Sequence, residues 1–430
     1  MTILPSISAD AIAVAPIRYI DRTLANGLQV LVVPDPRVPA VAINVAYRVG
    51  GKDDPLGRSG FAHLFEHLMF KGTSRTAPET IDRLTEDVGG FNNAYTSEDI
   101  TNYYEVVPSN HLERLLWAEA DRLGSLTVNA HNFATERDVV IGEYDQRILA
   151  EPYGMLDELV NREAFAVHPY RRGVIGSPQE LNAASLDDVV AFHRTYYRPD
   201  NAVLIVVGDC DPDRTNAWIE RYFGAIPTPA VPIPRVETVE PPQTAERTYT
   251  FSAANVPLPA FEEAYHIPAA AHPDAAALDV LETLLGAGRS SRLYTSLVYG
   301  KQLATSAYAV ADLRQQPGLF GVRLICARGV ALANTRDALA VELERVRTEP
   351  LDEAELARAR TQIASAFVRS RQTNTGIALA LVRATTERGD PASVNGDLAR
   401  YLAVTPDDVR RVASTYLRAE NRTAVEYLPA

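Results

Sequence analysis

Two histidines and a glutamate in one short stretch set the chemistry to be explained. Residues 60–73 read Gly-Phe-Ala-His-Leu-Phe-Glu-His-Leu-Met-Phe-Lys-Gly-Thr, which places His63 and His67 four apart. On a helix, positions i and i+4 lie one above the other on a single face, so both imidazoles can reach one metal ion. Glu66 borders that face and can take a proton from a water held by the metal. The order H-x-x-E-H displaces the glutamate relative to H-E-x-x-H but keeps the same three groups together. The plainer alternative is an amphipathic helix whose histidines fall at this spacing by chance. With only eight histidines in 430 residues, coincidence is the weaker account.

Two histidines do not complete a catalytic zinc site, which takes three protein ligands and a water. Cys210 and Cys326 are the only cysteines, far apart in apolar surroundings, so number alone excludes a Cys-based zinc site or a disulfide framework. A helix expected over 130–149 offers Glu136 and Glu143, seven residues and so two turns apart on one face. One can bind the metal while the other orients a ligand from behind. Spacing does not say which, and two surface acids on an amphipathic helix would look the same. The remaining histidines, His111, His131, His168, His193, His266 and His272, are scattered and read as surface or packing residues.

These side chains need a scaffold. Asn26-Gly27 is a tight turn feeding an apolar strand, and residues 41–49 form a second one. Beyond the histidine motif, Thr76-Ala77-Pro78-Glu79 reads as a helix start that runs to Gly89-Gly90. A strand pair follows at 91–97 and 101–107, then helices near 110–124, 130–149 and 154–165. An internal repeat organises the whole. Asp187, Asp188, Val189, Thr195, Tyr196, Arg198 and Asn201 recur as Asp407, Asp408, Val409, Thr415, Tyr416, Arg418 and Asn421, always 220 residues on. Pro227, Pro229, Pro232, Pro234, Pro241 and Pro242 mark an extended connection between the copies. The expected class is α+β, with two similar domains, each a mostly antiparallel sheet with helices packed on it. Residues 1–228 would form a metal-binding domain, 229–246 a linker, and 247–430 a related domain. The latter opens with strands near 247–251 and 261–267, then a helix near 273–286 in the place of the metal helix. It has no histidine pair, which implies a structural or substrate-holding role.

The formal charge of −13 disfavours nucleic acid and anionic membranes as partners. No stretch is long and apolar enough to span a membrane. No cationic leader precedes Arg18, and Asp10 interrupts the first apolar run, so a cytoplasmic location is the default. A periplasmic one would follow if a leader preceded residue 1.

Taken together, His63-x-x-Glu66-His67, the Met69-Phe70-Lys71-Gly72-Thr73 tail, Glu136 and Glu143 resemble the pitrilysin/insulysin and mitochondrial-processing-peptidase superfamily of inverted zincins, in particular its short two-domain members. Residues 89–97 with Thr101 and Tyr103, His168-Pro169-Tyr170, Ile175-Gly176-Ser177 and Tyr197-x-Pro199-x-Asn201 extend the resemblance along the chain. It implies a zinc metallopeptidase with one zinc per chain. His63, His67 and Glu143 would be the ligands, Glu66 the general base, and Glu136 a catalytic carboxylate acting through a ligand. Asn93, Ala94, Tyr95 and Thr96 would be a strand edge to which an extended peptide adds. Members that act alone carry an Arg and, seven residues later, a Tyr that hold the substrate carbonyl. Those positions fall on Val298 and Thr305, and neither side chain can do that work. The resemblance is therefore to the zinc-bearing subunit of a heterodimer whose homologous partner lacks the metal motif and supplies the Arg–Tyr pair. The substrates would be short or unfolded peptides in a closed chamber. Two rivals stay open: a self-sufficient homodimeric peptidase, and a non-catalytic structural subunit of the same fold.

Overall fold

The computed structural model describes residues 14–430; residues 1–13, on which the expected absence of a leader partly rests, lie outside it. Two mostly antiparallel sheets dominate. The first comprises β1 (Ile20–Thr23), β2 (Gln29–Pro34), β3 (Ala40–Tyr47), β4 (Phe91–Thr96), β5 (Thr101–Pro108) and β6 (Ala202–Gly208), in the order β1-β2-β6-β3-β5-β4. The second comprises β7 (Arg247–Ala253), β8 (Ala260–Ile267), β9 (Ala304–Asp312), β10 (Gly318–Cys326) and β11 (Arg422–Pro429), in the order β7-β11-β8-β10-β9. Each sheet has one parallel pair, β2 with β6 and β7 with β11. Between Phe223 and Arg247 there is no helix or strand.

The first half carries helices α1 (Phe61–Leu68), α2 (Thr80–Glu86), α3 (Leu112–Ser125), α4 (Ala130–Tyr144), α5 (Gly154–Ala164), α6 (Pro178–Asn182), α7 (Leu186–Tyr196) and α8 (Pro212–Phe223). The second carries α9 (Ala275–Gly286), α10 (Leu332–Thr348), α11 (Glu353–Ser370), α12 (Asn374–Thr386), α13 (Asp397–Ala403) and α14 (Pro406–Tyr416). The 220-residue repeat is structural down to single hydrogen bonds. Ser185 and Asp188 form a capping box at the start of α7, as Thr405 and Asp408 do for α14. Asn201 Nδ2 donates to Tyr196 O and Asn421 Nδ2 to Tyr416 O, each at 2.8 Å, fixing the turn into β6 and β11 alike.

Helix α2 departs from expectation at its start. It begins at Thr80, not Thr76, because the earlier residues have other partners. The Thr73 hydroxyl lies 2.9 Å from that of Thr76 and donates to Asp121 at 2.5 Å, and Thr73 bridges to Leu126 as an isolated β-pair.

How the sheets are covered could not be read from periodicity. One face of the first sheet packs under α1, α3, α7 and α8, through Val30, Val32, Leu204 and Val206. The alternate residues Leu31, Val33, Val203, Ile205 and Val207 face Ile377, Ala378, Leu381 and Val382 of α12, a helix from the other half. Reciprocally, Leu156, Leu159 and Val160 of α5, from the first half, cover Ala264, Leu319 and Val425 of the second sheet. The apolar run of β6 is thus explained by burial on both faces. A polar junction adds to this exchange. Asp99 accepts from Lys52 Nζ (2.7 Å), the Tyr170 hydroxyl (2.6 Å) and the backbone N–H of Gln315 (2.8 Å) in the β9–β10 turn.

Candidate metal centre

Helix α1 is only eight residues long, too short to hold itself. Its position is fixed from three sides. Gly60 precedes it at φ 90°, and a Cβ there would lie 2.6 Å from Ile175 O; only glycine permits this approach. The Asp54 carboxylate accepts from the backbone N–H groups of Gly60 (2.6 Å) and Ala62 (2.9 Å), satisfying orphan donors at the positive end of the helix. Burial pushes the Asp54 carboxyl up to about 7. From below, the buried Phe61, Leu64, Phe65 and Leu68 enter the core, and the Tyr103 hydroxyl donates to Phe65 O at 2.9 Å. Tyr103 is itself braced by the buried Arg122 guanidinium, 4.5 Å from its ring centre, which also pairs with Glu105 and Glu119.

The opposite face of α1 meets α4, which presents both glutamates. Glu143 Oε2 lies 3.7 Å from His63 Nε2 and 3.4 Å from His67 Nε2, and one ligand atom of each of the three falls within 4.8 Å of the others. Bonds of about 2.0–2.1 Å in a tetrahedron put ligand atoms about 3.4 Å apart, so this spacing suits one zinc ion. Glu136 stands behind. Its Oε2 is 3.6 Å from His67 Nδ1, on the far side of the ring, and its Oε1 is 3.2 Å from Lys71 Nζ. A carboxylate at Nδ1 favours the tautomer whose Nε2 lone pair points into the space shared with His63 and Glu143. Arg147 Nη1 holds the other oxygen of Glu143 at 2.8 Å. Four groups thus face one space: two nitrogens and one oxygen as potential donors, and Glu66 beside them, 4.0 Å from His63 Nε2.

The electrostatics follow from burial and neighbours. Burial, reinforced by His67 and Arg147, pulls His63 down to about 3, which keeps it neutral with a lone pair free. Burial also pulls on His67, but Glu136, Glu143 and Glu66 outweigh it and the net shift is upward. Glu66 is raised by burial despite accepting from the Thr96 hydroxyl at 2.7 Å. Glu136 is held low: burial opposes this, but His67 and Lys71 prevail.

Thr96 closes β4, the outer strand of its sheet, whose outward side has no partner strand among the described residues. Since side chains alternate, Ala94 shares the α1 face with Thr96, while Asn93 and Tyr95 point to the face covered by α12. The four residues expected to receive a peptide therefore lie along one free edge whose end touches Glu66.

Positions 298 and 305 are engaged elsewhere. Val298 packs on the core of the second half, and the Thr305 hydroxyl donates to Ile325 O at 3.3 Å. Arg292 is paired with Glu355 at 2.6 Å. Of the other histidines, His168 meets Gln316 at the junction between halves, His193 stacks on Phe65, and His266 contacts Ala164 O. Among the described residues, only His63, His67 and Glu143 group as potential metal donors. Sequence reasoning gave no role to Lys71, Arg147 or Asp54. The i,i+4 spacing of Glu143–Arg147 was an available signal; Lys71 lies beyond the end of α1 and meets Glu136 from another element.

Comparison with known proteins identifies the relatives of this chain. Residues 29–177 match the family model for insulinase (peptidase family M16), and residues 183–363 match that of the peptidase M16 inactive domain. The chain is 31% identical to zinc protease PqqE of Helicobacter pylori over 95% of its own length and 92% of that protein. It is 26% identical to the probable mitochondrial-processing peptidase subunit beta of Arabidopsis thaliana, covering 92% of this chain and 75% of that one. The crystal structure of a protease from Helicobacter pylori superposes with a TM-score of 0.93 at 30% identity, covering 96% of this chain and all of that one. A putative M16-like peptidase from Alicyclobacillus acidocaldarius superposes at 0.82 with 21% identity, covering 97% of this chain and all of that one.

Proposed function

The chain belongs to the insulinase family, peptidase family M16, and on that premise we propose that it is the zinc-bearing subunit of a peptidase that cleaves short or unfolded peptides. The observation that carries the reading is the convergence of His63 Nε2, His67 Nε2 and Glu143 Oε2 beside an acid, Glu66, that touches a free strand edge. Zinc held by these three residues, one ion per chain, would polarise a peptide carbonyl and acidify a water. Glu66 accepts that water's proton as its oxygen bonds to the carbonyl carbon. It then returns the proton to the departing amine as the C–N bond breaks. Burial raises Glu66 toward the range where one carboxyl can serve as base and then acid. Glu136 and Lys71 hold His67 in register, and the Asn93–Thr96 edge aligns the peptide by backbone hydrogen bonds that ignore its side chains.

Val298 and Thr305 are spent on packing and on a backbone carbonyl, which favours a donor from a second subunit over a self-sufficient chain. Loss of an oxyanion donor costs about 10²–10³ in rate. The isolated chain should cleave unfolded peptides weakly, and adding a homologous subunit that carries the Arg–Tyr pair should restore turnover by that factor. Glu66→Gln should keep zinc and abolish cleavage in both settings. Full turnover by the isolated chain would refute the two-subunit reading, and turnover by Glu66→Gln would remove Glu66 as the base.

A further inference from the structure

The face of β4 turned away from the metal helix opens on a cavity of about 630 Å³, bounded by the turn after β4, the end of α11, and α12 and α13. Tyr95 and Ser97 stand at its β4 side, with Ala380 and Arg383 of α12 and Glu387 just beyond that helix opposite. Residues directly across from one another in paired strands point their side chains to the same face. A peptide laid along β4 therefore sends the side chain opposite Thr96 toward Glu66 and the one opposite Tyr95 toward this cavity. The two are neighbours in the peptide, so the cavity reads a side chain within about two residues of the bond attacked.

The cavity's unspent polar groups say what it would hold. Each of its deeper acids has a cation beside it, with Glu98 and Asp312 sharing Arg314. Glu98 pairs with Arg314 at 2.9 Å, Asp99 with Lys52 at 2.7 Å, and Asp397 with Arg388 at 3.0 Å. Two cations are left underused. Arg371 lies over the Phe367 ring and donates from Nη2 to Val394 O, while its Nε is buried with no partner among the described residues. Arg383 has a side chain 71% exposed, and the nearest acid paired with it, Glu387, is 3.8 Å away. That separation is too long for a hydrogen bond and leaves the guanidinium fork free for a planar carboxylate. Burial pushes Glu387 up to about 7, so it competes weakly for Arg383.

We propose that this cavity is a specificity pocket in which Arg383, backed by Arg371, selects an acidic side chain on the peptide residue paired with Tyr95. The proposal rests on β4 being the peptide-accepting edge. It sets a local preference within a chain that is acidic overall, so it differs from what net charge alone would suggest.

The test uses the full chain, zinc-loaded and carrying Glu66→Gln so that peptides bind without being cut. Fluorescent unfolded peptides in which a Glu, Gln or Lys is walked along the sequence are titrated by anisotropy. At one register Glu should bind about tenfold more tightly than Lys, with Gln between. Arg383→Glu should invert the order at that register only, and Arg383→Gln should flatten it; Arg383 is exposed, so both variants should melt like the parent. Uniform binding of all three series with affinity retained would overturn the pocket and leave the edge reading standing. A preference for Lys would overturn the pocket's assigned chemistry. Failure of every peptide to bind would overturn the edge reading and the proposal with it.

Discussion

Glu136 and Glu143 are seven residues apart on the same helix face, yet their geometry predicts very different consequences for zinc. Glu143 Oε2 sits 3.7 and 3.4 Å from two imidazole nitrogens, the spacing of atoms that share an ion. Glu136 approaches His67 at Nδ1, 3.6 Å away, on the ring edge opposite the shared space. Four-ligand zinc sites bind with about 10–16 kcal/mol, or roughly 2.5–4 kcal/mol per ligand. Replacing the anionic oxygen of Glu143 by an amide should thus weaken zinc by about a hundred- to a thousandfold. A partner that acts through a ligand is worth about 10–100-fold in metal affinity, so Glu136→Gln should lose no more than that. Glu66, which is not among the converging donors, should leave zinc affinity unchanged when converted to Gln. The assay is competition for zinc against a chelator of known affinity, with bound zinc counted after dialysis. Glu136→Gln losing zinc as severely as Glu143→Gln would refute the assignment, as would zinc loss in Glu66→Gln.

Three further outcomes follow from contacts already described. Thr96→Val removes the hydroxyl that donates to Glu66; zinc should stay, turnover should fall by about tenfold, and the acid limb of the pH–rate profile should move upward, because that bond lowers the Glu66 pKa. A limb that stays in place would separate Thr96 from the base. Leu381→Ala deletes a fully buried side chain where α12 crosses onto the first sheet. It should cost about 2–5 kcal/mol and lower one shared thermal transition; a second transition, with only one half affected, would contradict the interlock. Asp54 has a folded pKa raised from 3.8 to about 7 by burial, so between those values the folded chain binds the extra proton. Stability should therefore fall as pH rises from about 4 to 7, by up to about 1.4 kcal/mol per pH unit from this group. Asp54→Asn should flatten that slope in denaturant melts, and an unchanged slope would assign it to other groups.

What was legible in the sequence divides along a physical line. Local periodicity carries the histidine pair, since i and i+4 must share a helix face whatever surrounds them. The 220-residue repeat was visible because its residues cap helices and tie turns, tasks that demand particular side chains. Ambiguity over Glu136 and Glu143 was built in: both occupy one stripe, and only the neighbouring helix decides which reaches the shared space. The α2 start was misplaced because a Thr–Ala–Pro–Glu pattern resembles a cap, while the Thr76 hydroxyl and carbonyl engage Thr73, itself held by Asp121 48 residues on. The exchange of α5 and α12 was invisible for a related reason. An apolar face announces that it needs covering but not which sheet will meet it.

That exchange bears on how such a chain can change over time. Each sheet borrows its second roof from the other repeat, so neither repeat is a portable unit, and a one-repeat forerunner would have needed a twin to trade helices with. Joining the twins in one polypeptide removes the need for identical copies. One repeat can then keep its histidines while the other drops them, and the pair still folds because the roofs, not the metal, make each depend on the other.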